Sequence, residues 1–201
     1  MVKDGEDLSY YLEQEEQLAA EAKEPMFFTW VVGPTVIYGA HQVKEQEVNL
    51  PFCREKGIDI VQRKSGGGCV YADRGNVMLS FIYPERISSG FEMAIQRVVK
   101  ALQAMGIEAV KTEHNDILVG ECKVSGWACH ELKNATIVHA TMLYDVDFSQ
   151  LTQAITPSRA KLEKHAVQSV RQRVRNIREI HDFGSTEEFR KQLEQQICLS
   201  A

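Results

Sequence analysis

The sequence predicts an α+β fold, in which helices flank a mixed β-sheet. β-Rich segments and helical stripes alternate irregularly along the 201 residues, and several tight turns separate the β-rich segments. No G-x-G-x-x-G run and no Walker motif is present, which argues against a doubly wound nucleotide-binding sheet. The 44% hydrophobic content suffices for one core, so we expect residues 1–201 to form a single domain.

The first half of the chain predicts one helix followed mainly by strands. Apolar residues from Leu8 to Ala22 recur at helical spacing, and Pro25 ends that pattern. The elements predicted next are, in order, strands at 26–32 and 35–40 joined as a hairpin at Gly33-Pro34, a polar and partly helical segment at 41–57, and strands at 58–62 and 77–83.

Two long helices and two short ones are predicted in the second half. A strong apolar stripe over 91–105 predicts a helix that Gly106 ends. Ser185 and Glu188 form a capping-box pattern that begins the last helix. The other elements predicted here are, in order, strands at 107–112, 117–119, 122–128 and 136–146, and short helices at 148–155 and after Pro157.

The composition narrows the function classes. A net charge of −5 gives no global basic field, so we do not expect nucleic acid as the main partner. No segment approaches the ~18 apolar residues of a membrane span, and the N-terminus does not resemble an export signal. Five cysteines without a C-x-x-C pair suit reduced thiols, and we expect a cytoplasmic protein.

Three consecutive glycines, 66–68, follow the strand predicted at 58–62. Glycines do not favour a strand or a helix, because each loses much conformational entropy on ordering and has no side chain to pack. They do let backbone N–H groups approach a ligand closely. Beside Arg63 and Ser65, they therefore indicate a site for an acyl or phosphoryl group. The alternative is a tight structural turn.

A second unusual stretch contains Lys123, which lies in a predicted strand directly before the small residues Ser125 and Gly126. Small residues would open space above the sheet, where a lysine could meet a ligand. The alternatives are ordinary ones. A strand lysine is most often a solvated edge residue, and Asn115-Asp116 by itself predicts a turn.

Six motifs follow one another from this glycine stretch onward. They are Arg63-Lys64-Ser65-Gly66-Gly67-Gly68-Cys69-Val70-Tyr71, Asp73-Arg74-Gly75-Asn76, His114-Asn115-Asp116, Lys123-Val124-Ser125-Gly126, His139-Ala140-Thr141-Met142-Leu143 and Ser169-Val170-Arg171-Gln172-Arg173-Val174-Arg175-Asn176-Ile177. In order and spacing this series resembles the lipoate-protein ligase A family. The similarity extends from the first helix to about Ile180, which is nearly the whole chain.

The resemblance implies the fold shared by biotin and lipoate protein ligases. It also implies a reaction in two steps. ATP activates lipoate to lipoyl-AMP, and the lipoyl group then passes to a lysine of an acceptor protein. The acceptors that it implies are the lipoyl domains of 2-oxoacid dehydrogenase E2 subunits or the glycine cleavage H protein.

The same resemblance assigns roles to individual residues. Lys123 is the catalytic residue, which contacts the acyl carbonyl and the phosphate. Asp116 is the residue expected to hold Mg²⁺ through oxygen. The residues expected to bind lipoate and the adenylate are Arg63, Ser65, Gly66, Gly67, Gly68, Val70, Tyr71, Asn76, Asn115, Ser125, Gly126, Ala128, His139 and Thr141.

Several features depart from the family pattern. Ala72 stands where a histidine is common, His130 where an arginine is common, and Trp127 and Ala140 replace small residues or glycine. An inward Trp127 would shorten the acyl pocket. Family members also carry a small C-terminal domain that these 201 residues do not include. Three alternatives follow: the chain makes the adenylate alone, it needs a separately encoded accessory domain, or it only transfers a preformed acyl group.

Two other functions remain open. One is an acyltransferase that moves octanoyl or lipoyl groups through a cysteine thioester, for which Cys69 and Cys129 are the thiols near the motifs. The other is a non-catalytic binding module that docks an acidic carrier domain through a basic run. That run consists of Arg159, Lys161, Lys164, Arg171, Arg173, Arg175 and Arg178.

Overall fold

The computed structural model describes residues 2–3, 5–113, 116–155 and 174–200. Their helices and strands are, in chain order, α1 (Leu8–Glu21), β1 (Met26–Trp30), β2 (Thr35–Tyr38), α2 (Lys44–Glu47), α3 (Leu50–Lys56), β3 (Asp59–Gln62), β4 (Val70–Ala72), β5 (Asn76–Tyr83), α4 (Gly90–Ala104), β6 (Ala109–Lys111), β7 (Asp116–Val119), β8 (Cys122–Glu131), β9 (Thr136–Leu143), α5 (Phe148–Ala154), a 3-10 turn (Ile177–Glu179) and α6 (Thr186–Leu199). The helix predicted after Pro157 lies outside the described residues.

The larger sheet has six strands in the order β1-β5-β9-β8-β7-β6, and all neighbouring pairs are antiparallel. Strand β5, the second in this order, is buried along its whole length, as its near-continuous apolar sequence requires. Helices α4 and α6 cover one face of this sheet, and α1 covers the other. The predicted fold class, a sheet flanked by helices, is confirmed.

A smaller sheet, β3-β2-β4, pairs β2 with β3 in parallel and with β4 antiparallel. The predicted hairpin between β1 and β2 is therefore wrong, because β1 pairs with β5 in the larger sheet. Trp30 of β1 stacks on Tyr11 of α1, and Ile37 of β2 is buried in the same apolar cluster. By joining two packed sheets, β1 and β2 bury more apolar surface than they would as an isolated hairpin. The stability of an isolated hairpin in water would be marginal.

The alternation of side chains along β9 separates the core from the site. Val138, Ala140 and Met142 pack into the cluster beneath α4 and α6. His139 and Thr141 must then point to the opposite face, toward α1 and the smaller sheet. No described helix has both the length and the apolar composition that a membrane crossing requires.

Candidate functional site

A cavity of about 460 Å³ lies on the face of the larger sheet that carries His139 and Thr141. Residues from β1, β5, β9, β8 and β7 line it, and these strands are neighbours in that order. With ~4.8 Å between adjacent strands, the lining crosses about 19 Å of the sheet. The cavity is therefore an elongated groove that runs across the strands.

The two ends of this groove differ in polarity. At the β1 and β5 end, the lining is apolar and includes Trp30 and Met78, together with Leu8 and Leu12 of α1. At the β7 and β8 end, the lining contains Asp116 and Lys123. A ligand with an apolar chain and an anionic head matches both ends.

The charged end is built from an ion pair. Lys123 Nζ lies 2.7 Å from Asp116 Oδ1, and the two side chains are 22% and 8% exposed. The pairing of β7 with β8 shifts register here, so that Ile117 faces Ser125 but Leu118 faces Lys123. The extra residue in β8 turns Lys123 to the same face as Gly126, as bulges commonly re-aim a side chain.

Gly126 makes room for the lysine. A Cβ atom at this position would lie 3.1 Å from both Cε and Nζ of Lys123. Any other residue would push the lysine aside or give way itself. The backbone of Lys123 is also fixed, since it bridges to Val174 and its carbonyl accepts from the N–H of Arg175 at 3.0 Å.

The glycine loop, residues 63–69, borders the groove opposite the sheet. Arg63 is only 6% exposed, and its guanidinium donates to the carbonyls of Gly66 and Gly68 at 2.7 Å and of Ile37 at 3.1 Å. Burial lowers the pKa of Arg63, although the nearby Cys69 opposes that shift. Arg63 thus lines the cavity, but its guanidinium donates to backbone carbonyls of the loop and of β2.

Three consecutive backbone N–H groups of the glycine loop, those of its glycines, could meet a ligand. Within the described ranges, no acceptor is found for the N–H groups of Gly66, Gly67 and Gly68. Gly67 has a φ of +91°, a conformation that L side chains rarely adopt. Consecutive N–H groups in such a turn form a concave anion site.

Most of the residues expected at the site line the main cavity. They are Arg63, Gly67, Gly68, Val70, Asp116, Lys123, Gly126, Ala128, His139 and Thr141. Ser65 lines an adjoining cavity of about 200 Å³, which His139 also borders. Gly66 borders a third cavity, near the start of α4. Asn115 lies outside the described residues, as does the basic run apart from Arg175 and Arg178.

Three expected residues lie away from the groove. Tyr71 is buried in the core cluster beneath α3, and burial, followed by Asp73, raises its pKa. Asn76 accepts from the N–H of Asp73 at 3.0 Å and so closes the turn before β5. Ser125 pairs with Met142, so it faces the core side of the sheet. In each case, strand alternation or a turn places the side chain away from the groove.

Trp127 is among the residues that line the groove, but its ring packs into the core. It alternates with Gly126 and Ala128 along β8, and its ring packs against Phe81 and Phe91 at centroid distances of 6.1 and 6.2 Å. The ring therefore fills the core behind the cavity wall. The sequence had left open whether this residue would shorten the acyl pocket.

The sequence did not identify the apolar residues of the groove, including Trp30, Met78 and Ile37, because their types are those of any core. It also missed Gly39, which follows β2. A Cβ atom at Gly39 would lie 2.5 Å from the carbonyl oxygen of Gly67, so only glycine lets the loop approach. A lone glycine after a strand gives no signal of this contact.

Similarity to known proteins covers almost the whole chain. A sequence model of the lipoyl protein ligase A/B catalytic domain matches residues 7–198. Lipoate-protein ligase 1 of Staphylococcus aureus is 38% identical over 173 residues, which make up 85% of this chain and 53% of that protein. The chain spans about half the length of the curated relatives it matches.

Two solved structures share the fold. A bipartite lipoate protein ligase from Thermoplasma acidophilum, described with its E2 lipoyl domain, is 29% identical with a TM-score of 0.81, over 94% of this chain and 77% of that chain. A lipoate-protein ligase A bound with ATP is 28% identical with a TM-score of 0.80, over 94% of this chain and 78% of that chain.

Proposed function

The chain belongs to the lipoyl protein ligase A/B catalytic-domain family, and we propose that it activates lipoate with ATP and transfers the lipoyl group to a lysine of an acceptor lipoyl domain. The observation that carries this proposal is the polarity of the groove. Its apolar end suits an acyl chain, and the Lys123 end suits the carboxylate and the phosphate that it attacks. The names and ligands of the relatives support the same substrates.

The first half-reaction joins the lipoate carboxylate to the α-phosphate of ATP. A carboxylate oxygen forms the new bond to phosphorus, the bond to the pyrophosphate oxygen breaks, and pyrophosphate leaves with those electrons. Negative charge grows on the phosphoryl oxygens. The Lys123 ammonium and the N–H groups of Gly66–Gly68 would stabilise it, and the loss of one such donor costs ~3–4 kcal/mol.

Asp116 holds Lys123 at the wall of the groove until substrate arrives. The carboxylate lies 2.7 Å from the ammonium, a distance typical of a charge-assisted hydrogen bond. A phosphate or carboxylate of the substrate can take the place of Asp116 at the ammonium. Lys123 therefore remains charged and oriented in both situations.

Mg²⁺ fits this site only together with ATP. The described residues contain no group of three or more His, Cys, Asp or Glu side chains arranged to hold a metal. Magnesium is commonly held by one or two carboxylates plus phosphate oxygens, which Asp116 and the nucleotide would provide. The ion would supply further neutralisation of phosphate charge.

In the second half-reaction, the amine of the acceptor lysine attacks the carbonyl of lipoyl-AMP. The amide bond forms, AMP leaves with the electrons of the C–O bond, and the amine loses its proton. The E2 lipoyl domain described with the Thermoplasma acidophilum ligase supports a lipoyl-domain acceptor. The H protein as a second acceptor and a cytoplasmic location belong to the same proposal, and an accessory domain is required only if the chain alone fails to form the adenylate.

A thioester acyltransferase is the second candidate, and one observation favours it, because Cys69 lines the groove. Cys129 does not line it. Burial, and then the charge of Glu131, raises the pKa of the Cys129 thiol and disfavours its thiolate. A Cys69→Ala variant separates the two candidates, since a ligase does not need that thiol for chemistry.

The test supplies the chain, Mg²⁺ and a lipoyl domain with either lipoate plus ATP or preformed lipoyl-AMP. Intact mass reports modification of the acceptor lysine. We expect modification from both donors, reduced at least ~100-fold in Lys123→Ala and retained in Cys69→Ala. Modification from lipoyl-AMP alone would restrict the chain to transfer. ATP-independent modification from an acyl thioester that requires Cys69 would replace the ligase by the acyltransferase.

A further inference from the structure

We propose that Glu15 of α1 is a positioning residue for the glycine loop, acting through His139 and Ser65. The effect of this role on the kinetics with lipoate rests on the proposed function, whereas its effect on the order of the loop does not. The three residues lie on three separate parts of the fold, namely α1, β9 and the loop. Their side chains form one continuous hydrogen-bonded chain.

The hydrogen bonds that link Glu15, His139 and Ser65 are short and largely shielded from solvent. Ser65 Oγ lies 2.7 Å from His139 Nε2, and His139 Nδ1 lies 3.0 Å from Glu15 Oε2. Glu15 and Ser65 are each 2% exposed. Buried charge-assisted contacts of this kind fix geometry far better than exposed ones.

A second pair of bonds orients the carboxylate of Glu15. Ser80 Oγ donates to Glu15 Oε1 at 2.6 Å, and Trp30 Nε1 donates to Ser80 Oγ at 2.8 Å. The indole N–H can only donate and the carboxylate can only accept, so the hydrogen bonds from Trp30 through Ser80 to Glu15 run in one direction. Glu15 then accepts from His139 Nδ1–H, and the other ring nitrogen, Nε2, shares a hydrogen bond with the hydroxyl of Ser65.

The hydrogen bonds from Glu15 through His139 anchor Ser65, near the start of the loop, while Arg63 binds the carbonyls of Gly66 and Gly68 further along it. Ser65 faces the smaller cavity rather than the groove, while His139 borders both. The carbonyl of Ser65 also accepts from the N–H of Ala40 at 3.0 Å. Three glycines following Ser65 lose much conformational entropy when they are ordered. Fixing Ser65 reduces the number of conformations of the following glycines from which the ligand must select.

The neighbouring residue of α1 offers a matched control. Glu16 joins the same helix to the same loop through an ion pair with Lys64, 2.6 Å apart. These side chains are 35% and 69% exposed, and exposed pairs contribute little. Glu16→Gln therefore removes a carboxylate one residue away, without touching the buried chain.

The kinetic test measures lipoate-dependent exchange of pyrophosphate into ATP. Glu15→Gln and Ser65→Ala should each lower kcat/KM for lipoate ~10–100-fold, the range seen when an orienting partner is lost. Glu16→Gln should stay within threefold of the wild type. Because Glu15 and Ser65 act through the same histidine, the double variant should be little worse than the worse single variant. Multiplicative losses would overturn the proposal.

A readout that does not depend on activity is amide hydrogen exchange over residues 63–71, followed by mass spectrometry. Glu15→Gln should raise exchange in this segment several-fold and leave α6 unchanged, and Glu16→Gln should change neither. If Glu15→Gln fails to fold, Ser65→Ala tests the same link without altering the buried carboxylate. Identical loop exchange in the wild type, Ser65→Ala and Glu15→Gln would overturn the proposal. Raised loop exchange in the two variants, together with a wild type that lacks ligase activity, would instead overturn the proposed function alone.

Discussion

Arg63 and Lys123 are both cations of the groove, but their partners differ. Arg63 donates to backbone carbonyls of the loop and of β2, which no ligand can replace without breaking the loop. Lys123 meets a carboxylate, whose place a substrate anion can take. At the scale of single residues, Arg63 is therefore a scaffold for the loop, and Lys123 is the group that we propose meets the substrate.

Arg63→Lys tests this assignment. An ammonium cannot reproduce the fork that binds Gly66 and Gly68 together, so the loop should lose its shape despite the unchanged charge. We expect a loss of ~1.5–3 kcal/mol in unfolding free energy, the value of hydrogen bonds to a charged group, together with weakened lipoate binding. Denaturant melts and lipoate titration measure both. Lys64→Arg, at the exposed neighbour, is the control, and equal behaviour of the two variants would refute the assignment.

Gly39→Ala tests the close approach of β2 to the loop. The new Cβ would lie 2.5 Å from the backbone oxygen of Gly67, so one of the two segments must move. Overpacking of this kind costs ~1–3 kcal/mol, and the displaced loop should raise the KM for lipoate. Gly33→Ala is the matched control, because a Cβ there meets nothing within 4 Å. A Gly39→Ala variant with the melt and KM of Gly33→Ala would contradict the structure.

The charged half of the site could be predicted from the sequence, because glycine runs and a strand lysine beside small residues are unusual. The apolar half could not, since Met78 and Trp30 resemble core residues until the fold shows which face they share. Tyr71 and Asn76 show the opposite limit. Val70, next to Tyr71, lines the groove, because strand alternation decides which side chain faces it, whereas the side chain of Asn76 closes the turn before β5.

At the scale of elements, periodicity predicted the helices well and strand pairing poorly. The apolar stripe of α4 and the capping box of α6 gave nearly correct bounds. The segments of β1 and β2 were also recognised as strands. Their partners were not, because a period of two identifies a strand without naming the strand that it pairs with.

The start of α6 offers a pH prediction. The backbone N–H and hydroxyl of Ser185 donate to the carboxylate of Glu188, and these bonds lower its pKa. A lowered pKa in the folded state means that the stabilisation is present above the unfolded pKa and is lost as pH falls through the folded pKa. Glu188→Gln should therefore lower the Tm near neutral pH, and the difference should vanish in acid. A Tm difference that stays constant from neutral pH into acid would contradict this account.

At the scale of the whole molecule, the groove exists only because two sheets and α1 meet. Its lining comes from α1, both sheets and the glycine loop, so residues from 8 to 141 contribute to one space. Arg175 N–H, near the other end of the chain, bonds to the carbonyl of Lys123. The ion pair of Arg178 with Asp145, at 2.5 Å, holds the segment of Arg175 against the end of β9. Lys123, the proposed catalytic residue, is thus supported by a segment far from it in the sequence.

The central claim is that this groove forms lipoyl-AMP. The most direct measurement is lipoate-dependent exchange of labelled pyrophosphate into ATP, by the wild type and by Lys123→Ala shown to be folded from its melt. The account predicts exchange that requires lipoate and Mg²⁺ and that falls at least ~100-fold in the variant. No exchange by the wild type at saturating lipoate and ATP, or equal exchange by the folded variant, would contradict it.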